Sequence, residues 1–281
     1  MLLVAKPAGP TSHDAVDQVR RVLGMRRVGH LGTLDPFAAG LLVVVVGRAT
    51  RLAQYAGGWT KGYEGTLRLG ATTSTDDLTG EVTATSEAWR GLGADEIGAA
   101  FARFVGETLQ RPPAFSAVKV GGVRAYKRAR RGEVVEPVER PVAVDAFVPT
   151  AIALPDVQFR AEVSAGTYVR GLARDVGAAL GCGAHLVALT RTRVGPFALR
   201  DAKAPSEVTP ADLRDAAVLL ADLPRRDLTE AERGAVAHGR PIEGSGTGEQ
   251  GRVALYADGQ LLAVAEIVGD LLKPQVVLTD A

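Results

Sequence analysis

Apolar residues follow two rhythms along this chain, and the places where the rhythm changes divide it into elements. Leu2 to Ala5 is a short apolar run broken by Lys6-Pro7-Ala8-Gly9-Pro10, which predicts a strand and then a turn. Ala15, Val16, Val19, Val22 and Leu23 recur at helical spacing, predicting a helix capped by Ser12 and ended by Gly24. A glycine-containing loop from Gly29 to Gly40 leads into Leu41-Leu42-Val43-Val44-Val45-Val46. A continuous, largely β-branched run of this kind reads as a strand buried on both faces.

Tyr63 to Leu69 alternates as a strand does, and Glu81 to Thr85 forms another beyond the polar loop Thr72 to Gly80. Residues 94–105 return to helical period. β-rich stretches are expected around 117–123, 133–152 and 156–164, punctuated by Pro112, Pro113, Pro137, Pro141 and Pro155. Val169 to Leu180 reads as a helix closed by Gly181, and Leu186 to Val194 as a strand. Pro205, Pro210 and Pro224 mark a boundary. Past it, Arg252 to Ile267 and Gln275 to Leu278 read as short strands about an Asp258-Gly259 hairpin turn. The pattern is α+β with a mixed or antiparallel sheet, a larger domain over 1–222 and a small β-rich domain over 223–281.

Composition narrows the classes. The chain has 281 residues, 46% hydrophobic and 23% charged, the balance of a globular protein with a sizeable core. No apolar run approaches the roughly 20 residues of a membrane span, and Met1 to Ala5 lacks the features of a secretory signal. The expectation is a cytoplasmic protein with no membrane partner. A single cysteine, Cys182, excludes an internal disulfide, and with histidines scattered at His13, His30, His185 and His238 no metal site is expected. The net charge of +1 hides an asymmetry: residues 201–281 hold 8 basic and 14 acidic side chains, leaving 25 basic and 18 acidic in 1–200. A basic body suggests a polyanionic partner.

Within that body, Asp35 is the one acidic residue between Gln18 and Tyr63, a stretch carrying Arg20, Arg21, Arg26, Arg27, Arg48, Arg51 and Lys61. Nearby cations favour the ionised form of a carboxyl group. Glycines around it permit close approach by a ligand, and Pro36 biases Asp35 toward an extended backbone. The expectation is a nucleophilic carboxylate displayed to a phosphate-bearing substrate. A second block, Thr108 to Gly132, has no acid and contains Arg111, Lys119, Arg124, Lys127, Arg128, Arg130 and Arg131 with Phe115 and Tyr126 among them. That interleaving of aromatics and cations suits nucleic acid. A third acid-free stretch, Gly177 to Arg200, contributes Arg191, Arg193 and Arg200.

The segment Gly29-His30-Leu31-Gly32-Thr33-Leu34-Asp35-Pro36-Phe37-Ala38-Ala39-Gly40-Leu41-Leu42 resembles the TruB family of bacterial tRNA pseudouridine-55 synthases. So do Lys6-Pro7-Ala8-Gly9-Pro10-Thr11-Ser12, Lys61-Gly62-Tyr63-Glu64, Gln110-Arg111-Pro112-Pro113-Ala114-Phe115-Ser116-Ala117-Val118-Lys119 and Gly166-Thr167-Tyr168-Val169-Arg170. Cys182-Gly183-Ala184-His185 and Arg191-Thr192-Arg193-Val194-Gly195-Pro196-Phe197 complete an ordered set over roughly residues 1–200. The resemblance implies a pseudouridine-synthase fold, with a mostly antiparallel mixed sheet around a central cleft and a small PUA-like C-terminal domain. It further implies isomerisation of uridine 55 in the tRNA T-loop, with the T-arm as partner, no cofactor, and no obligate protein partner for a monomer.

By position, the resemblance makes Asp35 the catalytic aspartate, Tyr63 the residue stacking on the flipped base and helping proton removal, and Arg170 the partner of Asp35. It places His30, Tyr168 and Leu189 at the flipped nucleotide, and makes Arg111, Lys119, Arg124, Lys127, Arg128, Arg131 and Arg193 RNA-facing. The sequence leaves open whether Asp35 attacks C6 of the base or C1′ of the ribose.

Rival classes fit less well. A glycosidase would pair Asp35 with Asp76 or Asp77, but their polar loop reads as a surface or RNA-contacting one. A methyltransferase would place its Gly-rich loop after its first strand, whereas Gly29 to Gly40 precedes the buried strand. The remaining alternative is a tRNA-folding chaperone in which catalysis is secondary.

Overall fold

The computed structural model describes residues 1–56, 58–116, 119–120, 123–124, 131, 133, 138–244 and 251–278, with the backbone alone at 119–120 and 123–124. Strand β1 (Leu2–Lys6) precedes helix α1 (Ser12–Leu23), and β2 (Val28–His30) and β3 (Ala39–Val46) flank the glycine-containing loop. After β4 (Lys61–Leu69) come a hairpin of β5 (Ala71–Thr73) and β6 (Val82–Thr85), helix α2 (Ala94–Ala102) and β7 (Gly106–Gln110). The two-residue strands β8 (Lys119–Val120) and β9 (Val123–Arg124) lead to β10 (Arg140–Ala153) and β11 (Asp156–Val163). Helix α3 (Val169–Ala179), β12 (Ala184–Val194) and β13 (Phe197–Ala198) follow.

The main sheet has nine strands in the order β1-β3-β12-β4-β11-β10-β7, with β2 added to β3 and β13 to β12. Its pairings are antiparallel except β3 with β12, where Thr190 faces Ala39 and Arg191 faces Gly40. The sheet is thus mixed and mostly antiparallel, the form that the family resemblance implies. The parallel step brings β12 against the strand that leaves the Asp35 loop.

β3 is covered on both faces, which explains its unbroken apolar run. Leu42, Val44 and Val46 pack with Leu2, Val4, Val16 and Val19 beneath α1. Leu41, Val43 and Val45 pack with Leu3 and with Ala254, Val264 and Val276 of the C-terminal segment. A separate cluster under α2 and α3 holds Phe101, Phe147, Phe159 and Leu172, together with Leu34, Tyr63 and Leu189.

Three local expectations are corrected. Thr11, not Ser12, caps α1: its hydroxyl accepts from the Asp14 amide and the Asp14 carboxylate accepts from the Thr11 amide. This reciprocal box satisfies the first turn and releases the Ser12 hydroxyl for another partner. The Gly29 to Gly40 segment is not all loop, because its start pairs with β3 as β2. The helical period over 94–105 ends at Ala102, and β7 begins at Gly106, whose φ is +102°.

The C-terminal segment forms a five-stranded sheet of β14 (Arg225–Asp227), β15 (Ile242–Glu243), β16 (Gly251–Ala257), β17 (Gln260–Val268) and β18 (Leu271–Val277), with helix α4 (Glu230–Ala237). Asp258 and Gly259, with φ of +52° and +75°, make the turn between β16 and β17, as hairpin geometry requires. β18 starts earlier than the Gln275 read from the pattern, since Leu271 to Lys273 already pair with β17.

At the head of β3, Gly40 has a φ of +116°, and a Cβ there would lie 2.3 Å from the Arg191 carbonyl oxygen. Gly40→Ala is therefore expected to destabilise the fold by roughly 3 kcal/mol or more, through backbone strain and overpacking together. Denaturant titration measures this, and an unshifted midpoint would show that β3 and β12 can separate at little cost.

Candidate active site

The loop between β2 and β3 is fixed by side chains that bond its backbone. The Ser12 hydroxyl accepts from the Leu34 amide at 2.8 Å and donates to the Leu34 carbonyl at 3.0 Å. Lys6, 1% exposed, directs its ammonium to the carbonyls of Pro7 at 2.8 Å, Pro10 at 2.7 Å and Pro36 at 3.4 Å. Three donors meet three acceptors, so a buried lysine is tolerated. Arg191, also 1% exposed, donates to the carbonyls of Leu41 at 2.8 Å, Gly32 at 3.0 Å and Thr33 at 3.4 Å. A loop whose carbonyls are held in this way keeps one shape.

Asp35 emerges from that loop against the start of α3. Arg170 Nε donates to Asp35 Oδ2 at 2.9 Å and Nη2 to Oδ1 at 3.0 Å, a bidentate pair. The Arg170 side chain is 5% exposed and that of Asp35 33%, so the carboxylate is the accessible partner. Arg170 is itself fixed by the carbonyls of Thr75 at 2.8 Å and Phe115 at 3.0 Å, and lies 3.4 Å from Asp77 Oδ2. Gln110 sets the angle of α3, accepting from the Tyr168 amide at 2.8 Å and donating to the Tyr168 carbonyl at 2.9 Å.

Asp77 overturns one expectation. The Thr72 to Gly80 loop is not a free surface loop, because Asp77 is 5% exposed at its side chain and pairs with Arg170. Its other oxygen accepts from the Thr75 and Thr79 hydroxyls and the Thr79 amide. Neighbouring Asp76, at a φ of +60°, reaches Arg174, which also binds Asp175. One buried guanidinium therefore serves two carboxylates brought from separate segments.

The electrostatics differ from a simple count of cations. Arg20 bonds Asp17 and the Val28 carbonyl, Arg48 and Arg51 bond the carbonyls of Leu278 and Val277, and Lys61 bonds that of Trp59. The positive charge at Asp35 comes instead from Arg170 and Lys6, both outside the stretch counted. Burial pushes the Asp35 carboxyl above its ordinary value, Arg170 pulls it back, and Asp77 pushes it up again. Ionisation of Asp35 is thus favoured chiefly by the Arg170 guanidinium, with Lys6 adding to it.

Tyr63 lies on β4, buried in the cluster with Leu34 and Leu189. Burial raises its phenol, and Arg191 acts against that through charge and a hydrogen bond. Arg191 so links Tyr63 to the Asp35 loop. His30, half-buried at the end of β2, has a buried Nδ1 with no hydrogen-bond partner among the described residues, and burial lowers its pKa, favouring the neutral ring. Burial also draws the Lys61 ammonium down to about 8, with Arg191 adding to the effect. Tyr168 stands at the first turn of α3, two residues before Arg170.

The RNA-facing set is more dispersed. Arg111 is exposed, 3.4 Å from Glu139, and Arg131 is exposed. Arg193 is paired with Glu162 and the Gly195 carbonyl. Lys119 and Arg124 face each other in backbone register across β8 and β9, while Lys127 and Arg128 lie outside the described residues.

A family model described as TruB family pseudouridylate synthase (N terminal domain) matches residues 20–169. The chain belongs to the TruB family. A second model, the tRNA pseudouridylate synthase B C-terminal domain, matches residues 170–231, so in this TruB chain Asp35 and Tyr63 fall under one model and Arg170 under the other. A relative named tRNA pseudouridine synthase B from Mycobacterium sp. (strain KMS) is 46% identical over 290 residues, spanning 100% of this chain and 96% of its own. One of the same name from Thermobifida fusca (strain YX) is also 46% identical over 290 residues, spanning 99% and 97%. Among solved structures, a chain of a Cbf5–Nop10–Gar1 complex is similar at a TM-score of 0.73 and 26% identity, covering 98% of this chain and 84% of that one.

Sequence reasoning missed Asp77, Gln110 and Arg191 as parts of this site. Arg191 carried a faint signal: a strand arginine in an acid-free segment, with no local partner. Because Asp77 orders Arg170 without facing the cleft, Asp77→Asn is expected to lower kcat about 10- to 100-fold, the loss of one charged hydrogen bond, with RNA affinity kept within about twofold. Steady-state kinetics beside filter binding tests this, and parallel losses in both would place Asp77 in RNA binding. In Arg170→Lys the bidentate pull on Asp35 is weakened, so its pKa rises. The acidic limb of the kcat/KM profile should then move to higher pH, and an unmoved limb would uncouple Asp35 ionisation from Arg170.

Proposed function

We propose that this protein isomerises uridine 55 in the T-loop of tRNA to pseudouridine, with Asp35 as the nucleophile. The observation that carries the reading is the bidentate Arg170 contact to a partly accessible Asp35, set beside a tyrosine and a loop with no slack. The names of the relatives supply the substrate class: they are tRNA pseudouridine synthases B.

The chemistry is redox-neutral. The N1–C1′ bond breaks, the base turns, a C5–C1′ bond forms, the C5 proton leaves and N1 gains one. Asp35 bonds transiently to C6 or C1′ and departs again, so the carboxylate is regenerated. Each of its oxygens retains a lone pair after accepting from Arg170, and either route uses that edge. The target nucleotide is extruded from its stack at a cost of a few kcal/mol. Stacking on an aromatic face returns about 1–3 kcal/mol, the role assigned to Tyr63, with Tyr168 and Leu189 beside the flipped base. His30, half-buried at the end of β2, is assigned to the flipped nucleotide or its neighbours. Arg111, Lys119, Arg124, Lys127, Arg128, Arg131 and Arg193 contact phosphates and position the RNA.

The same reading makes the protein a cytoplasmic monomer, with a catalytic domain over 1–222 and a PUA-like RNA-binding unit over 223–281. Asp35→Asn tests it on unmodified tRNA carrying tritium at uridine C5, without cofactor or metal. Tritium release is expected to be abolished while tRNA affinity stays within about threefold. Unchanged release would remove Asp35 from the chemistry, and pseudouridine mapped only to the anticodon arm would overturn the T-loop assignment.

A further inference from the structure

A second basic site lies at the start of β2, whose far end leads into the Asp35 loop. An open cavity of about 560 Å³ is lined by Arg20, Arg26, Arg27 and Arg51 with Gly29 and Thr50, and no carboxylate is among its lining residues. The nearest opposing charge the arginines use is Asp17, 2.7 Å from Arg20 Nη1.

Several donors in this cavity are unused. Arg26 and Arg27 are exposed and make no side-chain hydrogen bond or ion pair among the described residues. Arg20 spends Nη1 on Asp17 and Nη2 on the Val28 carbonyl, yet its Nε is buried with no partner among the described residues. A buried donor left unpaired is costly, and in native proteins such a group usually has an acceptor supplied from elsewhere. The frame is firm: β2 is hydrogen-bonded to β3, and Arg51 is fixed to the Val277 carbonyl at 2.7 Å.

We propose that this cavity is a docking point for backbone phosphates of the substrate RNA, separate from the catalytic cleft. The proposal rests on RNA being the substrate, as argued above. Guanidinium forks match phosphate oxygens in a bidentate manner. Four guanidiniums spread around an open cavity exceed what one small anion neutralises and suit the spaced charges of a polynucleotide strand. Position agrees. Gly29 lines the cavity and Asp35 is six residues further on, so at most about 20 Å of extended chain separates them, a span of a few nucleotides along an RNA arm. An RNA arm with its loop nucleotide at Asp35 therefore has phosphates within reach. Contacts of this kind fix register without reading sequence.

The test is the double variant Arg26→Gln/Arg27→Gln, assayed as full-length protein on full-length tRNA at several salt concentrations. KM is expected to rise about tenfold with kcat within twofold, and the log–log salt dependence of tRNA binding to flatten by roughly one to two. Arg26→Lys/Arg27→Lys should regain most of the affinity, because charge is kept. Unchanged KM and salt slope in a fully active variant would overturn the proposal and leave the catalytic reading intact. So would a fall in kcat together with the thermal midpoint, which marks a structural role. A thermal upshift by inorganic phosphate that the variant loses, with KM for tRNA unaltered, would make this a small-anion site instead. Inactive wild-type protein on tRNA would instead defeat the reading on which the proposal rests.

Discussion

The ion pair between Arg170 and Asp35 is the contact around which this molecule is arranged. Its two members are 135 residues apart, one on a loop and one on the first turn of a helix. A guanidinium 5% exposed is stable only when its N–H groups and charge are answered nearly completely. Asp35, Asp77 and the carbonyls of Thr75 and Phe115 supply the answer. Four separate segments are thereby held to one geometry, and the carboxylate left partly open is the one aimed outward.

That geometry also depends on polar residues doing structural work from inside. Lys6, Ser12 and Arg191 each bond backbone carbonyls of the Asp35 loop or its flanks. In their absence the loop would have to find water for those groups or fold differently. Arg191 does more, because it also faces the Tyr63 hydroxyl and lies in the parallel register of β12 with β3. Nucleophile loop, tyrosine strand and central sheet are coupled through one side chain.

What the sequence revealed and what it hid follow from range. β3 was legible because burial on both faces leaves an unbroken apolar run, and α1 because its apolar residues keep one period. The Asp258-Gly259 turn was legible because few residues take positive φ. Asp35 stood out as the one carboxylate of a basic stretch, Tyr63 and Arg170 through motif resemblance, and the structure brings the three into one electrostatic neighbourhood. The expected cause of Asp35 ionisation was mistaken: proximity in sequence put Arg20, Arg48 and Arg51 beside it, while the fold sends them elsewhere. Asp77 read as a solvated loop residue because its partner is distant in sequence. Ser12 read as a cap because local rules favour serine there, yet Thr11 with Asp14 makes the reciprocal box and frees Ser12 for Leu34.

The acidic balance of residues 201–281 takes on meaning in this arrangement. The five-stranded sheet does not hang free, since Ala254, Val264 and Val276 share a core with Leu41, Val43 and Val45. Arg48 and Arg51 reinforce the join by donating to the carbonyls of Leu278 and Val277. Arg51 thereby belongs to two structures at once, the junction with β18 and the wall of the basic cavity. A guanidinium bonded to a neutral carbonyl keeps its full charge, whereas one paired to a carboxylate would have it cancelled locally. Arg51 therefore serves the junction without spending its charge on a carboxylate among the described residues, and the wall of the basic cavity beside an acidic segment stays cationic.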